Sequence, residues 1–415
     1  MKKLLILGGF PQMIEVVSTA KMLGIHTIVV DQSPGSPAKR FADKSYDIST
    51  ADKDELLKIC KVEQIDGVFT GFEDFNIHIA CDISKKLNLP FYATSEQLNI
   101  ITNKHLFKNE CKKYDIPVVT QYTIEEALQK EIYPYIIKPV DSYGSRGITV
   151  CHNREELYKG YEKALASSKS RQVVIERFID SDHGTELFYT IVNGNIHLTV
   201  TADRYTVKNG ITTVPLPVAE VFPSCHTDAM LDCLDQNIRK MLTGMGLKNG
   251  LVLIQALYLD GEFFVYEMAY RLTGEQHYRL VEKQHGINLS KMMIMLALGE
   301  DISEFDTELL DYDKFINPSI NYALILHSGK IKSVVGLSEV YKIDEVISYN
   351  LTHSVNDVIS PSGDYSHMLI RINMVANNYD NLCRAVEDVN KFVKVESQDG
   401  EDMLVTRFSL PLGND

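Results

Sequence analysis

The sequence predicts a mixed α/β and α+β protein built from more than one domain. Three observations carry this. Over roughly the first ninety residues, short apolar runs alternate with apolar residues at helical spacing, the pattern of a small parallel βαβ unit. Further on, strand-like runs come in pairs joined by Asn193-Gly194 and Asp260-Gly261, the turn sequences of antiparallel hairpins. At 415 residues the chain is also too long for one ordinary core, so two or three domains are expected.

The elements follow in order. Strands are predicted over residues 3–7, 27–30 and 67–70. Met13, Val16, Val17, Ala20 and Leu23 mark a helix between the first two, and helices are expected over 52–62 and 74–87. Gly8 and Gly9 follow the first strand and Asp31 the second, but no Gly-x-Gly-x-x-Gly fingerprint is present. The glycines are therefore assigned to a strand-to-helix turn. A helix is expected over 102–114, ended by Ile116-Pro117, then a strand (135–137), a helix (154–167) and a strand (172–176). The two hairpins comprise strands 186–192 with 195–201 and 251–259 with 262–267, separated by a helix over about 228–245. More short strands and a helix over 379–392 complete the chain.

Bulk properties narrow the function. A net charge of −14 argues against nucleic acid or an anionic membrane as the main partner, without excluding a local basic pocket. No apolar run reaches membrane-spanning length. The opening Met-Lys-Lys-Leu-Leu-Ile-Leu has four apolar residues before Gly8 and no cleavage site after it, so it reads as a strand rather than a signal peptide. Seven scattered cysteines without a Cys-x-x-Cys pair suit reduced thiols and a cytoplasmic location.

Three constellations carry chemistry. Lys138 closes an apolar strand and precedes a loop, Asp141-Ser142-Tyr143-Gly144-Ser145-Arg146-Gly147, whose small residues allow backbone N–H groups to approach a polyanion. Lys104 opens a helix upstream. Next, Val173-Val174-Ile175-Glu176-Arg177-Phe178-Ile179 is an apolar strand ending in a carboxylate, suited to a purine slot, and Glu186 follows as an acceptor for ribose hydroxyls. Third, Gln255 and Glu267 sit on the two strands of the Asp260-Gly261 hairpin, away from its turn. Both offer oxygen to a hard divalent cation, and Arg271 and Thr273-Gly274 follow closely.

Taken in order, these residues resemble the nucleotide- and Mg-binding series of the ATP-grasp superfamily. The tail, Gln255 then Glu267-Met268-Ala269-Tyr270-Arg271, is similar to the carbamoyl-phosphate-synthetase-like branch. The opening, with Gly8-Gly9, Ala20-Lys21-Met22-Leu23-Gly24 and Val30-Asp31, resembles the pre-ATP-grasp domain of that branch. The C-terminal part more loosely resembles L-amino-acid-ligase-like members. The resemblance implies a pre-ATP-grasp parallel α/β domain over 1–95, an ATP-grasp domain over 96–300 and a small α+β domain over 301–415.

It also implies roles. Lys104 and Lys138 contact ATP phosphates, and the loop with Ser142, Gly144, Ser145 and Gly147 closes over them. Glu176 and the backbone of Arg177, Phe178 and Ile179 hold adenine, and Glu186 the ribose. Gln255 and Glu267 bind Mg²⁺, and Arg271 steadies an acyl phosphate. Glu73, Arg204, Thr273, Gly274 and His277 are candidate substrate contacts; Arg204 is the foremost, since an arginine suits a substrate carboxylate. The implied activity is an ATP-dependent carboxylate–amine or carboxylate–thiol ligase with small-molecule substrates, and a homodimer is a compatible assembly. One position departs from the family: Ala269 stands where an asparagine ligand is usual. Carboxylation through carboxyphosphate, and nucleotide binding without turnover, are the alternatives.

Overall fold

The computed structural model describes residues 1–141, 147–181, 183–207, 216–361 and 365–411. The chain begins with a four-stranded parallel sheet of order β3-β2-β1-β4, from β1 (Lys3–Leu7), β2 (His26–Val30), β3 (Lys44–Tyr46) and β4 (Gly67–Phe69). Helices α1 (Met13–Met22), α2 (Lys53–Glu63) and α3 (Asp74–Leu87) pack around it. Both faces of β1 are buried: Leu4 and Ile6 join one core cluster, Leu5 and Leu7 another. That explains an unbroken apolar run instead of an alternating one. The glycine pair is used by the turn. Gly8 has φ +93°, and the Gly9 N–H donates to Asp31 Oδ2 at 2.8 Å. A Cβ on Gly9 would stand 2.6 Å from Ser36 Cβ.

The helix expected over 102–114 is present as α5 (Lys104–Lys113), and a helix that was not expected, α4 (Ser95–Thr102), precedes it. Asn103 separates them with extended backbone, and its side chain accepts from the His105 and Leu106 N–H groups, which is N-capping chemistry. Next comes a four-stranded antiparallel sheet of order β5-β8-β6-β7: β5 (Gln121–Tyr122), β6 (Tyr135–Pro139), β7 (Thr149–Cys151) and β8 (Val173–Arg177). Helix α6 (Ile124–Lys130) follows β5, and α7 (Arg154–Ser167) packs on β6 and β7.

The largest element is an eight-stranded antiparallel sheet of order β13-β12-β9-β10-β11-β14-β18-β16. Its strands are β9 (His183–Val192), β10 (Asn195–Val207), β11 (Leu216–Phe222), β12 (Gly250–Leu259), β13 (Glu262–Tyr270), β14 (Ser319–Ile325), β16 (Val346–Leu351) and β18 (Met368–Val375). Both expected hairpins are present, with positive φ at Asn193, Gly194, Asp260 and Gly261. Strands β10 and β13 run further than the sequence pattern suggested, to Val207 and Tyr270. The sheet continues unbroken past residue 300, since β14 pairs with β11. Strands β15 (Gly329–Val335), β17 (Val358–Ile359) and β19 (Lys394–Ser397) form a small separate sheet.

Helix α8 (Thr227–Met230) passes through a π turn at Leu231–Asp235 into α9 (Gln236–Gly244). Helices α10 (His277–His285) and α11 (Leu289–Ala297) follow β13; α12 (Leu337–Val340) and α13 (Tyr379–Phe392) lie near the end. Alternation along β9 divides the large sheet between two cores. Phe188 points to the core shared with the N-terminal unit, and Leu187 and Tyr189 to the core beneath α5 and α9. Among the described residues, no helix is long and apolar enough to cross a membrane.

Candidate functional site

A row of polar residues crosses the whole large sheet on the face turned toward the N-terminal unit. Reading partner by partner, Glu267 in β13 faces Gln255 in β12, which faces Glu186 in β9. Glu186 pairs with Ala202, two residues before Arg204 in β10. Arg204 faces Glu220, which faces Asn321, which faces Asn373, which faces Ser348. Facing partners point to the same side of a sheet, so these groups form one continuous strip. A bulge helps to build it. The β12–β13 register shifts between Gln255 and Ala256, which brings Glu267 opposite Gln255; without it Tyr266 would stand there.

The Gln255 amide donates to Glu186 Oε1 at 2.6 Å, and Arg204 Nε lies 3.6 Å from the same oxygen. Glu186 is fully buried, and its Oε2 has no hydrogen-bond partner among the described residues. Burial pushes its pKa up, Arg204 and the Gln255 amide oppose the rise, and Glu275 adds to it. Glu186 thus sits between Gln255 and Arg204, third along the row from its outer end. Glu267 is exposed at the outer end.

The lysines meet on a second carboxylate. Lys138 Nζ donates to Glu176 Oε2 at 3.0 Å, and Lys108 Nζ donates to Glu176 Oε1. Burial disfavours the charge on Glu176, but the two ammonium groups outweigh it and hold its pKa down at about 2. Both oxygens of this carboxylate are therefore engaged by lysines. Lys138 Nζ also stands 5.8 Å from the Tyr266 ring, which ties it to the residue before Glu267. Lys108 is one the sequence reading missed. Its signal was present: it lies one helical turn after Lys104 in α5. Arg177 is exposed, the Phe178 N–H donates to Pro134 O at 2.9 Å, and Ile179 is buried.

Lys104 and Glu267 line one narrow crevice together with Asp74 and Tyr266. Arg271 is clamped at its side: Nε is 2.6 Å from Asp74 Oδ1 and Nη2 is 3.2 Å from Asp74 Oδ2. This bidentate pair joins the loop after β13 to the start of α3. Burial opposes the charges of both partners, yet each holds the other ionised, so the Asp74 pKa falls and the Arg271 pKa rises. Glu73 occupies the N-cap position of α3, where burial raises its pKa and Arg271 counters the rise.

The remaining predicted residues are placed as follows. Thr273 and His277 are buried and bonded to each other, Thr273 Oγ1 to His277 Nδ1 at 3.0 Å. Burial lowers the His277 pKa to about 3, so this ring is neutral near pH 7. Gly274 is half-buried with open space beside its Cα. Gly147 has φ +78°, and a Cβ there would meet Ser167 Cβ at 2.5 Å. Asp141 is anchored beyond α7, accepting from the Ser168 hydroxyl at 2.7 Å and the Ser170 N–H at 2.8 Å. Ser142, Gly144 and Ser145 lie outside the described residues.

Comparison with known proteins bears on this arrangement. Residues 103–305 match the family described as "Carbamoyl-phosphate synthase L chain, ATP binding domain", and residues 4–88 match "PylC-like, N-terminal domain". The chain is 28% identical over 229 residues to a formate-dependent phosphoribosylglycinamide formyltransferase of Ignicoccus hospitalis, covering 53% of each chain. It is 30% identical over 234 residues to the Sulfurisphaera tokodaii protein of the same name, covering 54% of this chain and 55% of that one. The chain thus spans about half the length of these curated relatives. Among solved structures, an L-amino acid ligase from Bacillus licheniformis superposes with a TM-score of 0.77 at 20% identity, covering 96% of this chain and 99% of that one. A phosphoribosylglycinamide synthetase from Anaerococcus prevotii gives 0.74 at 20% identity, covering 96% and 100%. At these identities the structural likeness is one of fold. The chain belongs to the ATP-grasp superfamily, with an ATP-binding domain of the carbamoyl-phosphate synthase L chain type behind a PylC-like N-terminal domain.

Proposed function

We propose that this chain is an ATP- and Mg²⁺-dependent ligase that joins a carboxylate to an amine, or to a thiol, through an acyl phosphate, with release of ADP and phosphate. The observation that carries the reading is the convergence of Lys104 and Glu267 on one crevice, with Gln255 opposite Glu267 and Lys138 against Tyr266. Cations for phosphate and oxygen donors for a metal thereby meet in one place. Superfamily membership supports the same reading.

The donor set suits Mg²⁺. The Gln255 NH₂ is given to Glu186, so its amide oxygen is the atom left for a cation. Glu267 offers an exposed carboxylate, and the unpartnered Glu186 Oε2 lies beside them. Gln255 and Glu267 would hold the metal, which when bound neutralises phosphate oxygens. Ala269 supplies no ligand to a further cation.

Other groups of the chain do the positioning. Lys104 and Lys138 would bind phosphate oxygens, with Lys138 oriented by Glu176. Arg271, held flat by Asp74, would present its remaining N–H to the acyl phosphate as charge develops there. A water-excluding site is required, because an acyl phosphate hydrolyses when exposed. The test is phosphate release from ATP across a panel of small carboxylates with and without amines, with hydroxylamine as a trap. A hydroxamate that needs both ATP and one particular carboxylate supports the reading. Turnover driven by bicarbonate alone indicates carboxylation, and ATP binding without turnover under any condition contradicts the ligase assignment.

A further inference from the structure

The polar row continues past Glu186 into a part of the sheet that the proposed nucleotide chemistry does not use. Glu220 lies there, between Arg204 on one side and Asn321 on the other. It is 1% exposed, and neither carboxylate oxygen has a hydrogen-bond partner among the described residues. A buried carboxylate without donors is costly, and proteins rarely retain one without a use.

Its surroundings contain an unsatisfied group of opposite sign. Arg371 in β18 is 3% exposed, gives one Nη to Asn321 Oδ1, and leaves Nε without a partner among the described residues. It points to the same face as Asn373, two residues on, and so to the face that carries Asn321 and Glu220. Directly opposite Arg371 in β16 stands Asn350, whose Nδ2 is also unpartnered. Gln276 is fully buried, held at φ +60°, and satisfies neither end of its amide. Gln276 and Asn350 both line a cleft of about 430 Å³, large enough for a small metabolite, between the start of α1 and strand β16. Burial pushes the Glu220 pKa up, the neighbouring Glu186 and Glu275 add to this, and Arg371 and Arg204 oppose it.

A buried carboxyl group and a buried guanidinium on one sheet face, each with bonding capacity unspent, match a ligand that carries an ammonium and a carboxylate close together; the ammonium favours the ionised form of Glu220 that burial alone disfavours. We propose that this cleft and the strip behind it bind the zwitterionic head of an amino acid, its ammonium on Glu220 and its carboxylate on Arg371, with the Gln276 amide at the entrance. An ammonium brings three donors to a carboxylate that has none, and the Arg371 Nε–H finds an acceptor. The identification of this ligand as a ligase substrate rests on the function proposed above; its binding does not.

The test is calorimetric titration of the full-length protein with each of the twenty standard L-amino acids and β-alanine, in parallel with Mg-ATP. At least one amino acid is expected to bind. Its deaminated acid and its decarboxylated amine should each bind about tenfold more weakly or worse. Glu220→Gln should weaken the amino acid by a similar factor while Mg-ATP affinity is retained. If that variant does not fold, the analogue series on the unmodified protein decides. No binding by any of these amino acids overturns the proposal, as does a deaminated analogue that binds equally well, or a folded Glu220→Gln variant with unchanged amino-acid affinity. Failure of Mg-ATP to bind would count against the ligase reading alone, so the two failures are distinguishable.

Discussion

Lys138 Nζ stands 3.0 Å from Glu176 Oε2, and the other oxygen of that buried carboxylate is held by Lys108. The pair fixes an ammonium at the end of β6, where a flexible lysine would otherwise sample many rotamers.

Glu176 is therefore a pH-dependent support. Folding lowers its pKa from 4.5 to about 2, so its stabilising share is complete above pH 4.5 and is lost as pH falls through 2. Glu176→Gln strands two lysines and should cost about 3–5 kcal/mol at neutral pH. Denaturant melts between pH 4.5 and 2 should show a shallower loss for the variant than for the parent. Equal slopes would remove Glu176 as the titrating group.

The Asp74–Arg271 clamp should behave as one unit. Asp74→Ala and Arg271→Ala should each destabilise, and the double variant should cost less than their sum. A double-mutant cycle in urea should give a coupling of about 2 kcal/mol. Additive losses would mean that the guanidinium is held by other contacts.

Gly147 is predicted to resist substitution. Its φ of +78° opposes a side chain, and so does Ser167 Cβ, which an added Cβ would meet at 2.5 Å. Gly147→Ala should lower stability by about 1–3 kcal/mol, measured by thermal melting. Gly24, also at positive φ but with nothing within 4 Å, is the control and should lose less.

The legibility of this molecule in its sequence was uneven for physical reasons. The bounds of α3, α7 and α13 were readable because their polar starts and apolar spacing are local signals. Helix α4 was not read and α5 was begun two residues early, since Asn103 separates the two without glycine or proline. Gln255 and Glu267 were legible as hairpin partners from Asp260-Gly261, whereas the bulge that aligns them was not. Lys108 carried the right spacing from Lys104 but no partner in sequence, because Glu176 is 68 residues away. The strip from Glu220 to Arg371 was invisible for the same reason: it exists only once β11, β14 and β18 pair across long intervals of chain.

Glu267 should matter for turnover and not for folding. It is exposed, so Glu267→Gln should leave the melting temperature within about 2 °C of the parent, as surface changes usually do. Its phosphate-release rate should fall at least a hundredfold, about 2.7 kcal/mol of transition-state stabilisation. Retained turnover with ordinary Mg²⁺ dependence would remove Glu267 from the metal site.

The most direct measurement is Mg-ATP titration of the parent protein and of Lys138→Ala by calorimetry. Lys108 keeps Glu176 paired in the variant, so the fold should survive. The account predicts saturable Mg-ATP binding by the parent and an affinity loss of about 1.5–3 kcal/mol in Lys138→Ala, a charge-assisted contact removed. Equal affinity in a correctly folded variant, or no binding by the parent, would contradict it.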